Sequence, residues 1–119
     1  MNDSFYTKLR QKMDEYAHFV YHLTRSFPKE ELYGITSQLR RSTLSIVLNY
    51  IEGYARRRDK TYRHFLDISY GSMQESKYLL EFSFQEHLLS KQDCDKALGL
   101  VNEIGAMLWT HIQKLDNSD

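Results

Sequence analysis

One proline, one cysteine and five glycines are all that 119 residues contain of these types, and each scarcity removes a class of structure. A strand-and-turn architecture needs many more turn residues, so an all-β fold is excluded. A lone cysteine, Cys94, cannot close an intrachain disulfide, and nothing suggests adaptation to an oxidising compartment. No uncharged apolar run approaches the roughly 18 residues of a membrane span; the longest, residues 44–51, is interrupted by Ser45 and Asn49. The stretch from Met1 to Phe5 lacks a basic region followed by an apolar one, so no secretory signal is read there and a cytoplasmic protein is expected. A Walker loop, a glycine-rich dinucleotide turn and a Gly-x-Ser-x-Gly elbow are also missing.

What is present is helical periodicity. Phe5, Leu9, Met13, Tyr16, Val20, Leu23 and Phe27 recur in steps of three and four, the stripe of an amphipathic helix over about 4–26. An Asp3/Ser4 cap can open it, and Pro28 closes it, because a residue before proline is pushed out of the α region. Pro28 suits the start of a short helix over about 29–33 that Gly34 can end. A second long helix, about 36–55, carries one stripe of Leu39, Thr43, Ile46, Tyr50 and Tyr54 and another of Leu44, Val47, Leu48 and Ile51. A third, about 60–87, has Asp59 as its cap and apolar residues on more than one face; Gly71 at its middle suggests a close approach or a bend. The fourth, about 91–115, opens on the capping pattern Ser90-Lys91-Gln92-Asp93 and bears Cys94, Ala97, Val101, Ile104, Leu108 and Ile112. Four helices of similar length joined by short connections make a single all-α domain, an antiparallel up-down-up-down four-helix bundle.

The middle helices carry more apolar surface than one bundle core absorbs. Tyr50, Tyr54, Tyr62, Tyr70 and Tyr78 are candidates for the excess, and a homo-oligomer is expected from it; the competing reading is a monomer with scattered surface tyrosines. Net charge is zero but uneven. Residues 36–65 hold Arg40, Arg41, Arg56, Arg57, Arg58, Lys60 and Arg63 against two acids, a net of +5, whereas residues 66–119 are net −5. Arginine forks suit phosphate, and Tyr54 or Tyr62 can stack on unpaired bases, so these seven residues are the candidate nucleic-acid contact. Pairing with the chain's own acidic half or with acids of a neighbouring subunit, or plain solvation, is the alternative.

A polar stripe, Gln38, Ser42, Ser45, Asn49, Glu52 and Arg56, runs between the apolar stripes of the second helix. It reads either as a hydrogen-bonded seam that sets register or subunit packing, or as a solvent face. Asp14, His18 and His22 share a face of the first helix at metal-compatible spacing, but no Glu-x-x-His partner accompanies them, so ordinary histidines are expected and no metal or cofactor is implied. Cys94, beside Asp93 and Asp95, is expected in the core and not as a nucleophile. Trp109 and His111 flank the core stripe of the fourth helix and suggest packing or subunit contact. With no complete catalytic set, the chain is not expected to be an enzyme.

The segment Phe27-Pro28-Lys29-Glu30-Glu31-Leu32-Tyr33-Gly34-Ile35-Thr36-Ser37-Gln38-Leu39-Arg40-Arg41-Ser42 resembles the opening signature of a four-helix-bundle family. That family is named for open reading frames in intervening sequences of bacterial 23S ribosomal RNA genes. Asn49-Tyr50-Ile51-Glu52-Gly53-Tyr54-Ala55-Arg56-Arg57 is similar to its Asn-Ile-Ala-Glu-Gly-Tyr-Gly-Arg-Arg motif, and Tyr70-Gly71-Ser72-Met73-Gln74-Glu75 to its Arg-Gly-Ser-x-x-Glu motif. Val47 replaces a usual proline, Tyr70 an arginine and Lys77 a glutamate. The resemblance implies a four-helix bundle assembled as a homopentamer, without enzymatic activity. Its relatives include accessory proteins of diversity-generating retroelements, which bind a reverse transcriptase and nucleic acid, so RNA or single-stranded DNA and a reverse transcriptase are the implied partners. Gln38, Ser45, Asn49, Glu52, Tyr54, Gly71 and Glu75 are the expected oligomer or packing seam.

Overall fold

The computed structural model describes residues 3–117 and is all helical among them. Helix α1 spans Asp3–Thr24, α2 Ser37–Ala55, α3 Tyr62–Gln85 and α4 Lys91–Asp116. A 3-10 turn, Lys29–Glu31, and a π turn, Leu32–Thr36, kinked at Gly34, connect α1 to α2. Each helix packs against two neighbours, α1 on α2 and α4, α3 on α2 and α4, which makes a closed square of four rods in a body that measures 48 by 25 by 19 Å overall. None is long and apolar enough to cross a membrane.

The core is built as the periodicity of α1 and α4 dictates. Leu9, Met13, Tyr16, Val20, Leu23 and Phe27 face Ala97, Val101, Ile104, Leu108 and Ile112, all buried. On α2, Leu39, Thr43, Ile46 and Tyr50 are inside, with Val47 also buried, while Leu44 and Leu48 stay in solvent. Two of the tyrosines expected on the surface are not there. Tyr50 is fully buried and Tyr62 nearly so, because both rings pack edge-on against the buried His111. Tyr78 does remain exposed.

Helix α3 turns a face inward on which serines alternate with apolar residues. Ser69, Ser72, Ser76 and Ser83 are buried at helical spacing. Small side chains bring α3 close to α2, and each hydroxyl must then find a partner inside the protein. The Tyr16 hydroxyl lies 2.6 Å from Ser76 Oγ, which lies 2.9 Å from Thr43 Oγ1. Ser69 donates to the carbonyl of Ile46 at 2.7 Å, and Ser83 to that of Leu79. Three helices, α1, α2 and α3, thus meet at one hydroxyl cluster in the middle of the bundle. Burial pushes the Tyr16 phenol well above its ordinary range, so it stays a neutral hydrogen-bonding group.

The helix ends show local chemistry. Ser90 caps α4 by accepting from Asp93 N at 3.1 Å. Asp59, expected to cap α3, instead folds an Asx turn, its Oδ1 accepting from both the amide and the hydroxyl of Thr61; α3 therefore begins at Tyr62. The α3–α4 turn ends in a left-handed residue, His87 at φ 64, with Leu88 N donating to Ser83 O at 2.8 Å, a Schellman closure without the usual glycine. The Asp3/Ser4 cap falls at the edge of the described residues.

Candidate nucleic-acid interface

The α2–α3 turn forms one end of the bundle. Gly53, near the end of α2, meets the first turn of α3 closely: a Cβ there would lie 3.1 Å from Phe65 Cβ and 3.6 Å from Tyr62 O. Lacking one, the two helices converge and the intervening Arg56–Thr61 segment projects beyond them. Arg57 covers the end of α2, donating from Nη1 to Tyr54 O at 3.0 Å with its guanidinium 4.3 Å above the Tyr54 ring. Such a cation suits the carbonyl-rich end of a helix. Tyr54 stacks on Tyr6 at 3.7 Å between centroids, and Tyr6 on Tyr50 at 5.1 Å, so a column of aromatic rings carries Arg57.

Below that column lies a buried polar group. His111 Nε2 sits 2.9 Å from the Tyr62 hydroxyl, whereas His111 Nδ1 and the Tyr50 hydroxyl have no hydrogen-bond partner among the described residues. Burial pulls the imidazole down to about 4 and pushes the Tyr62 phenol up to about 12, so both are neutral at ordinary pH. The sequence placed His111 beside the core stripe; its pairing with Tyr62, 49 positions away, was not legible there.

The seven basic residues divide into two populations. Arg40 lies toward the far end of α2, about 24 Å away along the axis. Its Nε donates to Thr24 Oγ1 at 2.8 Å and its guanidinium stacks on Tyr21, so it clamps α1 to α2. Arg41 pairs with Glu75 and with Gln38, clamping α2 to α3. Arg63 pairs with Asp67 and forks onto both oxygens of Asp116, which ties α3 to the end of α4; hydrogen bonding to Asp116 raises its pKa further. Arg56 pairs with Glu52 at 2.9 Å and lies over Phe65. Five of the seven are thus held by groups of their own chain, Arg41, Arg56 and Arg63 by carboxylates, Arg40 by Thr24 and Tyr21, and Arg57 by Tyr54. Among the described residues no carboxylate pairs with Arg57, Arg58 or Lys60, and all three are exposed. The one acid between them, Asp59, has its carboxylate held by Thr61, which keeps its pKa below the usual range.

Five of the seven seam residues lie along the outer crevice between α2 and α3. Gln38, Arg41 and Glu75 form its first link. Ser45 Oγ lies 2.7 Å from Ser72 Oγ, and Asn49 donates to the Ser45 carbonyl at 2.9 Å and to its hydroxyl at 3.0 Å. Glu52 with Arg56 ends the row. Tyr54 is not part of it, because its ring belongs to the Tyr6 stack. Gly71 is not either: it is exposed in an unbroken helix, and nothing lies within 4 Å of where its Cβ would be. The close approaches fall at Gly53 and at Gly105 instead. Asp14, His18 and His22 are exposed, and no group of three or more metal-ligating side chains is assembled among the described residues. Cys94 is buried, with its thiol pushed up by burial and then by Asp95 and Glu81.

Residues 7–110 match the 23S rRNA-intervening sequence protein family. The chain belongs to that family. A crystal structure of a protein of unknown function from the S23 ribosomal protein family of Bacteroides thetaiotaomicron superposes with a TM-score of 0.84 at 20% identity, covering 92% of this chain and 98% of that one. At that identity the likeness speaks for the fold, the four-helix bundle. No curated protein matches the chain significantly. Within this chain, the motif residues Asn49, Glu52 and Glu75 lie in the α2–α3 crevice, and Arg57 lies at the tip beyond it.

Proposed function

We propose that this chain is a non-enzymatic binding module, a homo-oligomeric helical bundle that holds the phosphates of RNA or single-stranded DNA at its α2–α3 tip. The observation that carries the reading is the unpaired charge of Arg57, Arg58 and Lys60 on a projecting turn, next to the half-exposed Tyr54 ring. Unpaired guanidinium and ammonium groups can exchange condensed counterions for phosphates without first breaking an internal ion pair. The resemblance to retroelement accessory proteins makes a reverse transcriptase the first protein partner to test, and a pentameric ring would repeat the tip around an axis and add avidity. Titration of a labelled single-stranded RNA at low salt, followed by anisotropy, tests the reading: saturable binding is expected, and none would reject it.

A second reading, a structural or protein-binding oligomer without nucleic acid, has its own observation. Leu48 is 60% exposed and Leu44 37%, one turn apart on α2 beside the seam, and Tyr78 and Phe82 are exposed on α3. Mass by light scattering reads assembly directly. An oligomer that survives charge reversal of the tip while RNA binding is lost assigns the tip to ligand and the helix faces to assembly.

A further inference from the structure

A cleft of about 360 Å³ opens between the outer faces of α3 and α4, away from both the tip and the α2–α3 crevice. One side is aromatic: Trp109, 52% exposed, lies against Tyr70 with ring centroids 5.8 Å apart and planes tilted by 44°. The floor is the Met73 side chain lying over Gly105, where a Cβ would stand 2.8 Å from Met73 Cε. The rim carries two carboxamides, Gln74 and Asn102, and the Lys77 ammonium, and no acidic residue lines the cleft. Gln74 Nε2 donates to the Tyr70 hydroxyl at 3.2 Å, which leaves its carbonyl oxygen and second N–H available. Among the described residues Lys77 has no carboxylate partner.

These groups form a recognisable set. An exposed indole beside a second ring offers a flat π face over an apolar floor. Carboxamides present donor and acceptor together, as the edge of a heterocyclic base requires. An ammonium within the same cleft suits a phosphate. We propose that the α3–α4 cleft is a nucleotide site, with the base on Trp109, its edge toward Gln74 and Asn102, and its phosphate toward Lys77. The site is separate from the tip. Arg63 lies on the same stripe of α3, seven residues before Tyr70, and is surrounded by Asp67 and Asp116, so a carboxylate-bearing stretch divides the two surfaces.

Trp109 is the sole tryptophan, so its fluorescence reports the cleft directly. The full chain is titrated with AMP, adenosine, inorganic phosphate and a short single-stranded RNA. Saturable quenching by AMP is expected, weaker with adenosine and absent with phosphate alone. Lys77→Gln should weaken AMP about threefold and leave adenosine unchanged, since an exposed charge pair is worth about that much. Trp109→Leu, followed by calorimetry on protein shown to be helical, should lose about tenfold or more, the contribution of one stacked base. Competition between RNA and AMP for the quenching would place a nucleotide of a strand in the cleft; AMP quenching without competition would place a free nucleotide there. Charge reversal of Arg57, Arg58 and Lys60 should leave AMP quenching intact, so a failure of RNA binding at the tip and a failure of the cleft are told apart. No quenching by AMP up to millimolar concentration, equal effects of Lys77→Gln on AMP and adenosine, or emission that shifts with protein concentration and then ignores nucleotide would each overturn the proposal.

Discussion

Arg63 and Arg58 are five residues apart, and their surroundings differ completely. Arg63 is gripped by Asp67 and by both oxygens of Asp116, so its charge is neutralised within the bundle and its fork holds α3 to α4. Arg58 stands on the turn before α3, and among the described residues no carboxylate pairs with it, since that of its neighbour Asp59 is held by Thr61. Arg41, across from Glu75, belongs with the first, and Lys60 and Arg57 with the second. A count of basic residues treats the two groups alike. What is available to a phosphate is the charge left after internal pairing, and within the 36–65 segment that charge is gathered at the tip.

The comparison can be broken most severely at the tip. Reversing Arg57, Arg58 and Lys60 to glutamate should reduce affinity for single-stranded RNA by more than about 100-fold at low salt, by loss of phosphate contacts and added repulsion. The melting temperature should fall by only a few degrees, because Arg58 and Lys60 lie outside the core and Arg57 alone gives up a helix-end contact, to Tyr54. Unchanged RNA affinity would place the ligand elsewhere.

The next effect concerns the buried pair beneath the tip. His111 titrates near 4 in the fold against 6.5 when exposed, so the unfolded chain takes up the proton first. Its contribution to stability is complete above pH 6.5 and falls as pH drops toward 4, by about 2 kcal/mol between pH 7 and 4.5. Urea unfolding at the two pH values measures this, and the double variant His111→Phe, Tyr62→Phe should show a smaller pH dependence. An identical dependence would mean that His111 is not the group responsible.

Three smaller effects sharpen the contrast between inside and outside. Ser76→Ala removes the shared partner of Tyr16 and Thr43 and should cost about 1–3 kcal/mol, the price of buried hydroxyls left unsatisfied. Arg63→Ala should cost about 1 kcal/mol or less, since its pairs are substantially exposed, and should change RNA affinity less than twofold. His87→Gly should stabilise by about 0.5–1 kcal/mol by relieving a left-handed residue that has a Cβ. Chemical denaturation checks all three; a destabilised His87→Gly would show that the imidazole contributes more than its backbone costs.

Much of the bundle was legible in the sequence because α1 and α4 bury one apolar stripe each at steps of three and four. The inner face of α3 was not, because serines 69, 72, 76 and 83 alternate there with Tyr62, Leu66, Met73 and Leu80 and break the apolar stripe. Their spacing was the signal that might have been used. With that face misread, Tyr50 and Tyr62 looked surplus, whereas each fills space beside His111. The Glu52–Arg56 and Asn49–Ser45 contacts were readable from one helix, since each pair shares a single face. The division among the basic residues was not, because Glu75 is 34 positions from Arg41 and Asp116 is 53 from Arg63.

The salt dependence of single-stranded RNA binding tests the central claim most directly. With three unpaired cations at the tip engaging phosphates, the logarithm of the association constant should fall against the logarithm of salt with a slope of about −2 or steeper. Binding that ignores salt, or a slope that stays the same after the three tip charges are reversed, would contradict it.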